Sequence, residues 1–145
     1  MDILIKQLKN QPRTLEGGFW HKLIYQHQMW LDGLYMASPF MAQYGAEFNK
    51  PEWIDEAVKQ FRLCHKHTYD AKTGLYHHAW DESKSQRWAN PETGTFSQAS
   101  GGAGIGWVVY GAGRCLGLLY PKIIRDVRHD WLYPRIGGDI AEISG

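Results

Sequence analysis

Three things are scarce in this chain, and each scarcity removes a class of explanation. Cysteine occurs twice in 145 residues, at Cys64 and Cys115. Two thiols so far apart do not make the disulfide framework of a small secreted domain, and two buried free thiols are the plain reading. An excess of one charge is also missing. Sixteen Lys and Arg stand against fifteen Asp and Glu, for a net +1 with no basic or acidic block. Nothing in that balance steers nucleic acid or an anionic membrane surface towards the chain. Long hydrophobic runs are missing as well, since no apolar stretch approaches the roughly 20 residues of a membrane-crossing helix. The opening MDILIKQLKNQPRT carries charge throughout and does not read as a secretory signal, so the cytoplasm is the expected location.

What the chain has in quantity is aromatic surface. Phe, Trp and Tyr make up 14% of it, with seven Trp and eight Tyr. Phe19, Trp20, Tyr25, Trp30 and Tyr35 crowd into one early stretch. Aromatic rings match the flat C–H faces of sugars while polar side chains take the hydroxyls. They also fill cores and brace loops. Composition leaves both readings open.

Along the chain, Ile3, Leu4 and Leu8 give a short amphipathic segment that reads as the end of a helix whose first turns are missing. Residues 11–30, with Pro12, Gly17 and Gly18, read as a long aromatic loop. Leu31, Leu34, Tyr35, Ser38, Met41, Ala42 and Gly45 share a face at helical spacing, predicting a helix over about 31–44. Pro39 is expected to kink or interrupt it. Pro51 suits a first helical position, and Ile54, Ala57, Val58, Phe61, Cys64 and Thr68 form the stripe of a second helix ending near Tyr69. DAKTG (residues 70–74) is a turn. Residues 75–95 alternate more than they spiral and predict a small hairpin or an ordered loop, with PETG as a turn. Residues 105–120 are apolar enough for a buried helix despite four glycines, each unfavourable by about 1 kcal/mol against Ala. Beyond Pro121 the pattern fades. There is no internal repeat. A few helices joined by long aromatic loops fit an α/α barrel or toroid.

Asp32 stands at a loop-to-helix junction beside Trp30. It reads either as a capping or first-turn carboxylate or as a general acid kept protonated by a semi-apolar cleft. Of the seven histidines, His65 and His67 diverge on a helix. Cys64 and His67 make only a pair, short of a zinc site. His78, beside Trp80 and Asp81, reads as a substrate contact or as a loop histidine bonded to Asp81. The GGAGIG run at residues 101–106 does not spell G-x-G-x-x-G, and no strand or acidic ribose partner frames it. No phosphate loop or serine nucleophile elbow occurs.

The stretch GGFWHKLIYQHQMWLDGLYMASPF (Gly17–Phe40) closely resembles the unsaturated rhamnogalacturonyl hydrolases of glycoside hydrolase family 105 and the related family 88 glucuronyl hydrolases. The likeness continues through KHTYDAKTGLYHHAWDESKSQRWANPETG (Lys66–Gly94) and resumes at GIGWVVYGAGRCLGLLYPK. It covers most of residues 2–122; residues 1–122 are read as a partial hydrolase domain, followed by a divergent tail at 123–145. The resemblance implies an all-α (α/α)6 toroid with its cleft at the loop end. The implied substrate is an unsaturated uronyl oligosaccharide, left by lyase cleavage of pectin or another glycan, with no metal or organic cofactor. Asp32, in WLDG, matches the family's catalytic acid. Trp30 matches a cleft aromatic, His21 and Lys22 match substrate-side positions in the Trp-His-Lys run, His78 matches the histidine of the HGWD motif, and Trp107 matches the Trp of a downstream Gly-Trp pair.

The chain also departs from the family. Where members carry Trp, Arg and Asn ahead of the apolar helix, this chain has Gly101, Ala103 and Ile105. The Arg offers a forked cation suited to a uronate carboxylate. A second family Asp would lie upstream of residue 1, and most of the other toroid helices are not represented. Helices without ring neighbours would present apolar faces, so marginal stability, self-association or aggregation is expected. Three readings remain: a hydrolase, an inactive remnant that at most binds sugar, and a helical interaction module. They divide on whether Asp32, His21, Lys22 and His78 converge on one cleft.

Overall fold

A computed structural model of the chain describes residues 2–96, 99–100 and 108–113. Its frame is three helices: α1 (Asp2–Asn10), α2 (Leu31–Glu47) and α3 (Pro51–Thr68). Five short strands decorate it: β1 (Gln28–Trp30), β2 (Tyr69–Asp70), β3 (Leu75–His77), β4 (Ala79–Asp81) and β5 (Ala99–Ser100). Residues 108–113 add a further helical segment. Among the described residues no helix is long and apolar enough to cross a membrane.

The α2–α3 hairpin is the heart of the packing. Leu31, Leu34, Ser38, Met41, Ala42 and Gly45 of α2 are buried, six of the seven positions predicted for its inner face, and Tyr35 is half-buried. On α3 the buried set is Trp53, Ala57, Gln60, Phe61, Cys64 and Thr68. Ile54 and Val58 pack beside it. The stripe is thus wider than the apolar pattern, taking in Trp53 and the polar Gln60. The connection is tight: Lys50 N–H donates to Gly45 O at 2.8 Å, with Asn49 in the left-handed region at φ 50°. Pro51 occupies the start of α3, where no amide is needed. Pro39 does not interrupt α2, which continues to Glu47. Ser38, Met41 and Ala42 around it are fully buried, and that packing outweighs the lost backbone bond.

Two clusters share the core. One joins Met29, Leu31, Leu34, Phe61, Cys64 and Trp80 with Val108 of the last helical segment. The other joins Ile5 of α1 to Met41, Trp53 and Ala57. Each Leu, Ile, Met or Phe so buried contributes about 1.5–3 kcal/mol relative to exposure. Burial pushes the Cys64 thiol up to about 12, so it behaves as the expected packing residue.

The strands serve the loops. β2 and β3 form a hairpin across the DAKTG turn, with Tyr69 opposite Tyr76. Gly74 closes the turn at φ +71°. On one side β4 meets the end of the 75–95 segment, where Trp80 bridges antiparallel to Thr95 and Asp81 N–H donates to Gly94 O at 2.9 Å. On the other it runs antiparallel to β1, with Gln28 opposite Asp81 and Trp30 opposite Ala79. Residues 82–94 form an ordered loop around the fully buried Asp81. Its carboxylate accepts Ser83 N–H and Oγ–H at 2.9 and 2.6 Å, and Ser85 and Gln86 N–H at 2.9 and 3.0 Å.

Candidate active site

The β1–β4 ladder decides what the site contains. It lays the aromatic segment before α2 against the strand after α3, and Leu31 N–H at the start of α2 donates to His78 O at 3.0 Å. Three residues on each strand therefore bring His78 to Trp30. Their rings meet edge to face, with centroids 5.5 Å apart.

The segment carrying His21 and Lys22 is held from behind. Gln60, buried on α3, donates to Gly17 O and accepts Phe19 N–H, at 3.0 and 2.9 Å. Arg13 bonds Gly17 O at 2.9 Å and Glu56 at 2.7 Å. His21 N–H then donates to Gln28 O at 2.8 Å. The backbone so fixed sends the His21 ring under α2, where it lies near-parallel to Tyr25 and Trp30 at centroid distances of 5.9 and 5.5 Å. Trp30 Nε1–H is tied to Gln28 Oε1 at 3.0 Å.

Asp32 lies in the first turn of α2, where the helix dipole favours a carboxylate. The N-cap itself is Trp30, which makes no side-chain cap bond. Asp32 Oδ2 lies 3.6 Å from His21 Nε2, too long for a hydrogen bond. The Asp32 side chain is 33% exposed against 5% for His21. Asp32 Oδ1 and His21 Nδ1 are buried and make no hydrogen bond among the described residues. Burial holds the His21 ring below its ordinary range. Asp32 pulls it back up, and Lys22 and His78 push it further down. His21 is therefore a neutral imidazole near neutral pH, and its contact with Asp32 is that of a ring beside a carboxylate, not an ion pair.

His21 and Asp32 are adjacent, His78 reaches the cluster through Trp30, and Lys22 is exposed, with Nζ 5.5 Å from the centre of the Tyr25 ring. His21, Lys22 and Trp30 also line a cavity of about 820 Å³ between α1, the 19–23 segment and α2. Asp32 and His78 do not line it. The alternative reading of His78, as a loop histidine bonded to Asp81, is not among the bonds that Asp81 makes, since its carboxylate is taken up by residues 83–86. Trp107 lies outside the described residues, as do Gly101, Ala103, Ile105, Cys115 and the 123–145 tail.

Three contributors were not singled out as site residues from the sequence, although Tyr25 belongs to the early aromatic cluster. Tyr25 completes the ring trio, Trp88 meets Trp30 edge to face at 5.9 Å, and Gly33 abuts His21. A glycine in the first turn of a helix was the legible signal among these, because it is unfavourable there without a reason.

A sequence model of glycosyl hydrolase family 88 matches residues 1–130. The chain belongs to that family. In structure it is similar to a family 105 glycoside hydrolase of C. acetobutylicum, at 44% identity and a TM-score of 0.78, covering 84% of this chain and 34% of that one. A possible family 105 member from Salmonella enterica matches at 33% identity and a TM-score of 0.56, over 61% of this chain and 24% of that one. Among curated relatives, Protein Atu3128 of Agrobacterium fabrum is 44% identical over 73 residues, half of this chain and 30% of that protein. The unsaturated rhamnogalacturonyl hydrolase YesR of Bacillus subtilis is 32% identical over 79 residues, 51% of this chain and 23% of that protein. This family 88 chain thus spans a quarter to a third of the relatives it matches. Its described residues are a mostly helical portion, with small hairpins, of the (α/α)6 toroid seen in family 105.

Proposed function

We propose that the site hydrolyses unsaturated uronyl oligosaccharides, of the rhamnogalacturonyl or glucuronyl type, with Asp32 as the proton donor. The observation that carries the reading is the setting of Asp32: a partly exposed carboxylate beside a buried, neutral His21, in a nest of aromatic rings, on a chain of family 88. The name of YesR supports the substrate class. The Asp32 carboxyl gives its proton to C4 of the C4–C5 double bond, and the π electrons form the new C–H bond. Positive charge develops at C5, water adds there, and its spare proton returns to Asp32. The resulting hemiketal opens to a ketone. C1, left as a hemiacetal, then releases the neighbouring sugar as an alcohol. Trp30 and Tyr25 offer faces for the sugar ring, and Lys22 a cation for the uronate. This is proton transfer and hydration, not displacement between paired carboxylates.

The test is loss of the ultraviolet absorbance of the C4–C5 double bond with unsaturated rhamnogalacturonan and glucuronan disaccharides, beside Asp32→Asn. A decrease that vanishes in the variant supports the reading. No decrease with folded protein refutes it and leaves a sugar-binding remnant.

A further inference from the structure

The third residue of α2 has no side chain, and its backbone gives no reason for that. Gly33 sits in ordinary helical conformation, where alanine is the better residue because glycine loses more backbone freedom on folding. Its surroundings give the reason. A Cβ built on Gly33 would lie 2.6 Å from His21 Nδ1, 3.5 Å from Cε1 and 3.6 Å from Cγ. Non-bonded heavy atoms pack at about 3.5–4.0 Å, so the imidazole occupies the place a methyl group would need. The ring cannot yield easily. Its backbone amide is fixed to Gln28 O at 2.8 Å, and its plane lies beside Tyr25 and Trp30. The opposite nitrogen, Nε2, lies 3.6 Å from Asp32 Oδ2.

We propose that Gly33 is a positioning residue: the space left by its missing Cβ seats the His21 ring against the Asp32 carboxylate. The effect on turnover rests on the reading of Asp32 as proton donor, but the seat itself does not. Gly33 stands next to Asp32 in sequence, so the residue that carries the carboxylate and the residue that admits its neighbour move as one piece of helix.

The groups that act on the His21 ring are Asp32, Lys22 and His78, with Tyr25 stacked on it. The test is an NMR titration of the histidine rings in the full chain and in Gly33→Ala, with His21 assigned by its absence in His21→Gln. Displacing the ring towards water should raise its midpoint towards that of an ordinary histidine, while the His65 midpoint stays put. An unmoved His21 midpoint in folded Gly33→Ala would overturn the proposal. A double-variant cycle gives a second readout. In the His21→Ala background, Gly33→Ala should raise the melting temperature, because only helix propensity remains. With His21 present it should leave the melting temperature unchanged or lower it. The same shift in both backgrounds would overturn the seat. Neither readout needs turnover, so a chain found inactive in the absorbance assay would sink the functional reading and leave the seat on trial. Where Asp32→Asn abolishes turnover, Gly33→Ala should lower it at least about tenfold. Unchanged turnover with a displaced ring would refute the catalytic half.

Discussion

Replacing Gln60 with alanine removes one buried amide from the joint between α3 and the segment that delivers His21. Gln60 is 3% exposed. Its Nε2 donates to Gly17 O at 3.0 Å and to Glu56 Oε1 at 2.6 Å, and its Oε1 accepts Phe19 N–H at 2.9 Å. After truncation Gly17 O and Glu56 still have Arg13, at 2.9 and 2.7 Å. Phe19 N–H loses the partner that Gln60 gave it. An orphaned, partly buried amide costs about 1–3 kcal/mol, and the vacated side-chain volume adds about 1 kcal/mol. The expected loss is therefore about 2–4 kcal/mol, a large share of the roughly 5–15 kcal/mol that holds an ordinary domain together. Urea unfolding followed by tryptophan fluorescence should show a lower midpoint with an unchanged slope. Gln60→Glu sharpens the test. The new carboxyl keeps an acceptor for Phe19 but faces Gly17 O and the Glu56 carboxylate, so its folded pKa lies above its unfolded value. Such a group is least harmful below its unfolded pKa and destabilises as pH rises through the folded one. The gap between Gln60→Glu and the parent chain should therefore narrow on acidification. A Gln60→Ala loss under about 0.5 kcal/mol, the level of a neutral surface change, would refute this account of the joint.

Other substitutions and conditions probe the same frame. Asp81→Ala should cost about 2–4 kcal/mol and speed amide exchange at Ser85 and Gln86, whose N–H groups now end on that carboxylate. Unchanged exchange there would show that the loop holds itself. Gly94→Ala should destabilise far more than Gly74→Ala. Both glycines have positive φ, but a Cβ on Gly94 would meet Asp81 O at 2.3 Å, whereas one on Gly74 meets nothing within 4 Å; equal losses in thermal melts would contradict this. Burial lowers the pKa of both His21 and His65 from 6.5. The unfolded chain then takes up protons that the folded one resists, so stability is full above 6.5 and falls with acidification until the folded values are passed. His65→Gln should flatten that slope in urea midpoints measured against pH, and an unaltered slope would refute the assignment.

Helices with a long apolar period were legible, and contacts across distant segments were not. Leu31 to Gly45 declared α2 because burial follows the 3.6-residue period, and packing carried that helix through a Pro39 that local preference alone would make a break. Trp53 and Gln60 escaped the α3 stripe for different reasons. Trp53 reaches sideways to meet Tyr44 edge to face at 6.1 Å. Gln60 is polar, and a pattern of apolar residues cannot show that a buried amide has partners waiting in a loop some forty residues away. β1 and β4 have three residues each, too few for an alternation to register, and each finds its partner far along the chain. His21 and Lys22 were named through family resemblance, and Asp32 also from its place at a loop-to-helix junction beside Trp30. Their separation in sequence says nothing of a 3.6 Å approach, which depends on the absence of a methyl group at Gly33. Of the two readings of His78, the bond to Asp81 is absent from the contacts that Asp81 makes, because that carboxylate satisfies its own loop.

The pairing of β1 with β4 also bears on the order in which the molecule assembles. α2 and α3 are joined by three residues and can meet within the microseconds typical of local helical contacts. Gln28 and Asp81 are about fifty residues apart, and closing that span carries an entropy cost that six paired backbone positions and the burial of Met29 and Trp80 offset. Such a clasp should close later in folding than the α2–α3 hairpin and open earlier in native-state fluctuations. When it parts, Trp30 and His78 separate while the two helices stay packed. Hydrogen exchange at Met29 and Trp80, faster than that of the α2–α3 amides, is the expected sign of such opening.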